Sequence, residues 1–344
     1  MNFTRFLSFL FFLWMLAFFT VSAFAQEKDS LVLPQGDGLI DEWFSHLPIN
    51  VMMGTHVTAA AVDSTRTPWL YPLFPFLYAI KIVPVGGMAP ERIISLHPRL
   101  VILPAERKDK AGILKNAGLH VEVLDFTDYA GLLACIQKSA QLENTALALE
   151  KARIYKDFLI ENLREIPTNL EGAICQPNGS LPNLIKVKPD APKVLHLSSL
   201  EPLKADGKNT IIDEWIRMAG GQNIFTFSGN KKEITWEQIY AWNPDIIILQ
   251  ANAGKWEKGK VPTGAFLLKA FKENHLYRNP AGLFLWDRSG PELPLQALWA
   301  SAIISGRGLE SQGIKKKMHF FYQTFYGLNL SDEILEKILK GEGP

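Results

Sequence analysis

Glu91-Arg92-Ile93-Ile94-Ser95-Leu96-His97-Pro98-Arg99-Leu100-Val101-Ile102-Leu103 and Glu237-Gln238-Ile239-Tyr240-Ala241-Trp242-Asn243-Pro244-Asp245-Ile246-Ile247-Ile248-Leu249 follow one pattern. Glutamate, isoleucine, proline and the closing leucine recur at a single offset (237 − 91 = 146 residues) without a gap. That spacing is too long for a solenoid repeat and suits two related lobes. Each copy reads as a short helix, a proline turn and a buried strand. Pro90 fits the first helical position, and Thr235 with Gln238 makes a capping box. Both glutamates fall in a first helical turn, where negative charge suits the helix dipole. The runs Leu100–Leu103 and Ile246–Leu249 show no polar alternation, as expected of parallel strands covered on both faces.

Around the first copy, the sequence predicts strands at 31–33, 57–62, 82–85 and 121–124, with a turn at 35–38 and a helix at 110–118. Leu39, Ile40, Trp43, Phe44 and Leu47 line one side of an expected amphipathic helix. Residues 68–78, rich in proline and aromatics, read as an irregular loop with room for one helical turn. Residues 142–165 hold no glycine or proline, and predict one helix of about 35 Å crossing between the lobes. Around the second copy, strands are expected at 193–197 and 283–286, and helices at 209–220, 266–273, 293–304 and 332–340. Alternating strands and helices make this an α/β protein with two Rossmann-like lobes and parallel sheets. The expected segments are a leader at 1–25, lobe one at 26–141, the connecting helix at 142–170, a loop at 171–192 and lobe two at 193–344.

Composition narrows the function classes. The chain has 344 residues, 47% apolar and 21% charged, enough for two cores. Arg5, an apolar run over 6–19 and Ala23-Phe24-Ala25 form a secretory signal cut before Gln26. That run is short for a membrane span, so a soluble periplasmic protein is expected. With 36 basic and 35 acidic side chains, and Arg5 leaving with the signal, the mature charge is near zero. No basic stripe of the kind nucleic acid requires is present. Cys135 and Cys175 would meet an oxidising compartment, paired or as separate buried thiols.

With these residues laid out, the chain resembles the class III (helical-backbone) substrate-binding proteins of bacterial ABC importers. The resemblance rests on Met88-Ala89-Pro90-Glu91-Arg92-Ile93, on 219–225, on Trp286-Asp287-Arg288-Ser289-Gly290-Pro291, on Ala61-Val62-Asp63-Ser64-Thr65, and on 321–327 with Leu330-Ser331-Asp332-Glu333. It implies two lobes joined by one long helix, a solute held in the cleft between them, and a monomer. It also implies docking on the permease through Glu91 and Glu237, whose charges pair with arginines of the transporter.

In open α/β sheets ligands sit beyond the carboxyl ends of the strands. That nominates Asp37, Gly38, Thr65, Arg66, Gly86 to Met88, Glu106 and Arg107 in lobe one. In lobe two it nominates Ser198 to Leu200, Lys204, Gln250, Trp256, Trp286 and Arg288. Arg66 and Arg288 offer planar, always-charged donors to an anionic group. Trp69, Tyr71 and Trp256 offer flat apolar walls. The seven histidines are scattered, so no metal site or cofactor is expected, and His56 and His196 read as packing. The stretch Val85-Gly86-Gly87-Met88 lacks the tyrosine that the resemblance associates with haem. The resemblance implies an iron complex (siderophore-like, haem or corrinoid) as the leading solute, with the missing tyrosine counting against haem and with molybdate or tungstate as the alternative. A secreted hydrolase fits less well, since no nucleophile elbow, Walker loop or zinc helix motif appears.

Overall fold

The structure is a computed structural model and describes residues 38–84, 86–166, 186–256, 261–309 and 313–344. The leader, the strand expected at 31–33, Asp37, Cys175 and most of the 171–192 loop lie outside the described residues.

Lobe one contains β1 (Leu39–Asp41), α1 (Leu47–Met53), β2 (Val57–Ala61), α2 (Leu70–Leu73), β3 (Lys81–Val83), α3 (Pro90–Ser95), β4 (Leu100–Leu103), α4 (Lys108–Asn116) and β5 (Val121–Val123). Its sheet is wholly parallel, in the order β3-β2-β1-β4-β5. Next come α5 (Tyr129–Glu143) and α6 (Ala146–Glu165). Lobe two contains β6 (Lys193–Leu200), β7 (Leu203–Ala205), α7 (Ile211–Met218), β8 (Gln222–Asn223), β9 (Lys232–Glu233), α8 (Trp236–Trp242), β10 (Ile246–Leu249), α9 (Lys269–Lys272) and β11 (Leu276–Arg278). It closes with α10 (Leu293–Ile304), α11 (Ile314–Tyr326) and α12 (Asp332–Leu339). This sheet runs β11-β10-β6-β7-β9 with β8 on β6; β7 is antiparallel to both β6 and β9, and the other pairings are parallel.

The repeat has one structural meaning in both lobes. β4 lies between β1 and β5, and β10 lies between β6 and β11. Leu100 and Ile102 face the large central core while Val101 and Leu103 face an outer one; Ile246 and Ile248 divide from Ile247 and Leu249 in the same way. Both faces are covered, which is why neither run alternates. Ile93 of α3 and Ile239 of α8 seal the outer faces, so the two glutamate-bearing helices occupy equivalent places. The capping box of Thr235 and Gln238 forms as its spacing predicts.

The central core is continuous between the lobes. It runs from Leu39 and Trp43 through Tyr155, Phe158 and Leu159 of α6 to Trp215 and Trp299. α10 is buried all round and matches its expected span, as a helix apolar on every face must be.

Three expectations change. Leu39 and Ile40 belong to β1 at the centre of the sheet, not to a helix. The Asp41 carboxylate accepts from Trp43 N (2.8 Å), His46 Nδ1 (2.7 Å) and Asn50 Nδ2 (2.6 Å), which ends the strand and turns the chain into α1. The stretch 142–165 holds a break, because Asn144 adopts a left-handed conformation (φ 55°) and Thr145 starts a new helix by capping Ala148 N. Residues 283–286 form bends and a turn around an isolated bridge of Leu285 with Ala281 instead of a strand. Buried Glu292 accepts from Leu283 N (2.8 Å), Phe284 N (2.9 Å) and the Tyr322 hydroxyl (2.7 Å), and β11 takes the edge position.

Burial pushes the Glu292 carboxyl up to about 7 from 4.5, against the pull of its hydrogen bonds. The folded-state value lies above the unfolded one, so ionised Glu292 costs stability above about pH 7. Stability should therefore rise as pH falls from 8 toward 5, by at most about 1.4 kcal/mol per unit for one proton. Glu214, also raised to about 7 by burial, adds the same slope. Melting curves of Glu292→Gln across this range should show the slope reduced but not abolished. An unchanged slope would mean that Glu292 titrates normally.

Candidate functional site: the cleft between the lobes

Chain order reverses beside β1, between β1 and β4, and the segments leaving these strands meet there. Glu42, just past β1, has a fully buried side chain. It receives Arg107 Nη1 at 3.1 Å, Lys110 Nζ at 2.7 Å and Met88 N at 2.7 Å, and Lys110 also donates to Met88 O at 2.8 Å. Gly87 (φ +85°) passes over this cluster. A Cβ there would lie 2.9 Å from a Glu42 oxygen and from Lys110 Nζ, so a larger residue would displace the charges. Beside them, the turn after β2 holds Arg66, whose Nε lies 2.8 Å from Asp63 and whose guanidinium stacks 4.7 Å above the Phe44 ring.

Lobe two answers with a buried ionic group. Arg288 donates through Nη2 (2.8 Å) and Nη1 (3.1 Å) to Asp206, through Nε to Gln250 Oε1 (2.6 Å), and through Nη1 to Asn230 Oδ1 (3.3 Å). His196 lies between Asp206 and Asp287, 2.9 Å from each. Asp206 also accepts Lys231 N at 2.8 Å, fixing a lysine in the left-handed region (φ 56°) that non-glycine residues rarely adopt. Burial and the charge of Arg288 both lower the Arg66 pKa, against the pull of Asp63. Partial burial, then Arg66 and Arg288, lower that of Lys231. Three cations from the two lobes thus share one field. Asn252 Nδ2, past β10, donates to Thr65 O at 3.1 Å, past β2, linking the two lobes.

No protein-family model matches the chain, and no curated protein matches it in sequence. Solved structures do match. A periplasmic solute binding protein from Veillonella parvula superposes with a TM-score of 0.70 at 20% identity, covering 88% of this chain and 91% of that one. An ABC transporter solute binding protein from Sulfurospirillum deleyianum gives 0.66 at 19%, covering 90% and 96%. A molybdate periplasmic binding protein from Haemophilus influenzae gives 0.63 at 13%, covering 87% and 95%. This is the fold of the periplasmic solute-binding proteins.

Within that solute-binding fold the nominated residues separate clearly. Arg107 and Met88 meet at Glu42, Arg66 lies in the turn after β2, and Arg288 reaches Gln250 just past β10. Gly38 lies at the amino end of β1, the opposite end of the sheet from Glu42, and packs against Thr58. The missing helix explains this, since β1 begins one residue later. Trp286 is 0% exposed and Trp69 4%, and the Trp69 indole donates to Glu342 O at 2.9 Å. Both serve the core, so neither walls the cleft. Tyr71 pairs with Tyr78 at 5.2 Å, and burial with Tyr78 pushes its pKa up to about 12. Lys204, on β7, lies 3.8 Å from Glu233. Trp256 packs on Trp236 and Phe271 beside a pocket of about 410 Å³ at the ends of β6 and β10. Glu106 is exposed.

Sequence reasoning missed Glu42, His196, Asp206, Asn230, Lys231 and Asn252. Only the turn Gly229-Asn230-Lys231 carried a local signal. The others become partners through separations of 10 to 187 residues. His196 is therefore an ion-paired residue, not plain packing. Glu91 and Glu237 are both exposed in the first turns of α3 and α8.

One arrangement looks like a hydrolase triad: His46 lies 2.7 Å from Asp41 and 2.8 Å from Ser139 Oγ. Burial opposes charge on His46, but Asp41 outweighs it and raises the pKa to about 10. The imidazolium donates to Ser139, which itself donates to Cys135 O at 2.8 Å. All three side chains are buried, and the proton flow is opposite to that of an activated nucleophile.

Proposed function

We propose that this protein captures an anionic solute between its lobes in the periplasm and delivers it to an ABC importer. Arg66 and Lys231 carry the reading: burial first, and then the charge of Arg288, hold these two cations, one from each lobe, below their ordinary pKa values, and an entering anion would favour their charged forms. The solute expected first is an iron complex whose chelating groups are anionic. A molybdate-like oxyanion is the second reading, favoured because Trp69 and Trp286 are withdrawn into the core. Glu91 and Glu237 meet the permease, one from each lobe. The chain acts as a monomer and as a binding protein that turns nothing over. The continuous core supports modest closure of the lobes.

Native mass spectrometry of the protein from Gln26, with an absorption spectrum, tests the proposal. Several hundred daltons of bound mass with visible absorbance selects the metal complex. A colourless mass near a tetrahedral oxyanion selects the second reading. A bound cationic or neutral solute overturns both.

A further inference from the structure

Beneath the cleft, two buried aspartates face two buried cations. Asp206 takes both Arg288 terminal nitrogens, His196 Nδ1 and Lys231 N. Asp287 Oδ2 takes His196 Nε2 at 2.9 Å, while Arg288 Nε stays 3.9 Å away and turns to Gln250. Asp287 Oδ1 is buried with no hydrogen bond. A carboxylate so placed would draw in the nearest cation unless another one neutralised it.

We propose that His196 is a positioning residue: as an imidazolium it satisfies Asp287 and so leaves Arg288 aimed at Gln250 and the cleft. The proposal rests on the reading that Arg288 contacts the solute. Burial disfavours the charged ring, but hydrogen bonds and charge from the two aspartates outweigh it and raise its pKa. The Trp215 ring stands edge-on to the imidazole at 5.8 Å, closing the remaining side with apolar surface. With His196 charged, the four groups sum to zero; without it, one negative charge is left over and Arg288 is the cation in reach.

The test uses charge balance, which a merely structural role would not follow. His196→Gln should weaken binding of ferric tris-catecholate or molybdate about tenfold, and adding Asp287→Asn should restore it to within about threefold. If His196 only fills space, the double variant binds no better than the single one, and the proposal is overturned. Should His196→Gln fail to fold, rescue by Asp287→Asn supports the proposal and continued failure overturns it. The Arg288 Nε–H signal in nitrogen-15 NMR, read without any solute, should shift in the single variant and return in the double. Wild-type protein that binds neither probe would sink the functional reading alone. The NMR signal would then decide the role of His196.

Discussion

Arg288→Ala should lower the free energy of unfolding at pH 7 by about 3–5 kcal/mol and abolish solute binding. The guanidinium is buried, and its removal strips Asp206 of two charge-assisted hydrogen bonds while leaving the carboxylate inside. Burial alone would raise the Asp206 pKa, but Arg288 and His196 together hold it well below the usual carboxylate range. A depressed folded-state pKa contributes stability that is present above the unfolded value and lost as pH falls through the folded one. The variant loses that contribution at neutral pH and recovers part of the difference in acid, where Asp206 can take a proton. Urea denaturation at pH 7 and at pH 4.5 should therefore show a gap that narrows at the lower pH. A loss below about 1 kcal/mol at pH 7 would mean that the pair is solvated and the cleft is not built on it. Arg288→Lys keeps the charge but lacks the fork, and should recover stability more than affinity.

Replacing both Glu91 and Glu237 with alanine should reduce uptake at least about tenfold while leaving solute affinity within about twofold, because exposed charges steer docking and do not touch the cleft. Each carboxylate is exposed in a first helical turn, so the folded state should lose little stability at either site. The Thr235 hydroxyl and the Glu237 backbone N–H lower the Glu237 pKa, keeping it ionised at neutral pH. Uptake by whole cells and binding by the purified protein should be measured on the same double variant. A matching fall in affinity would sink the docking assignment.

The repeat at 91–103 and 237–249 was enough to read two related lobes, two strands buried on both faces and two equivalent acidic helices. These follow from local rules: a cap, a proline, and apolar side chains on consecutive residues whose covering requires both faces of a sheet. Arg66 follows β2, whose pattern was plain, whereas Arg288 follows a stretch expected as a strand that is not one, so its place was not set by local pattern. Leu39 and Ile40 were misread because their spacing suits a helix as well as a short strand followed by a turn. Only Asp41, bonded to Trp43, His46 and Asn50, decides between them.

What the sequence by itself determined is the architecture: two α/β lobes with matched strands, and glutamates at matched positions. Tertiary structure alone decided which charged groups meet and which aromatics are buried. Asp206 meets Arg288 across 82 residues, and Asn252 meets Thr65 across 187. Trp69, read as a flat wall, and Trp286, read as a strand-end contact, both entered the core. Local propensity is written in neighbouring residues, whereas a buried charge finds its partner only when distant segments share one interior.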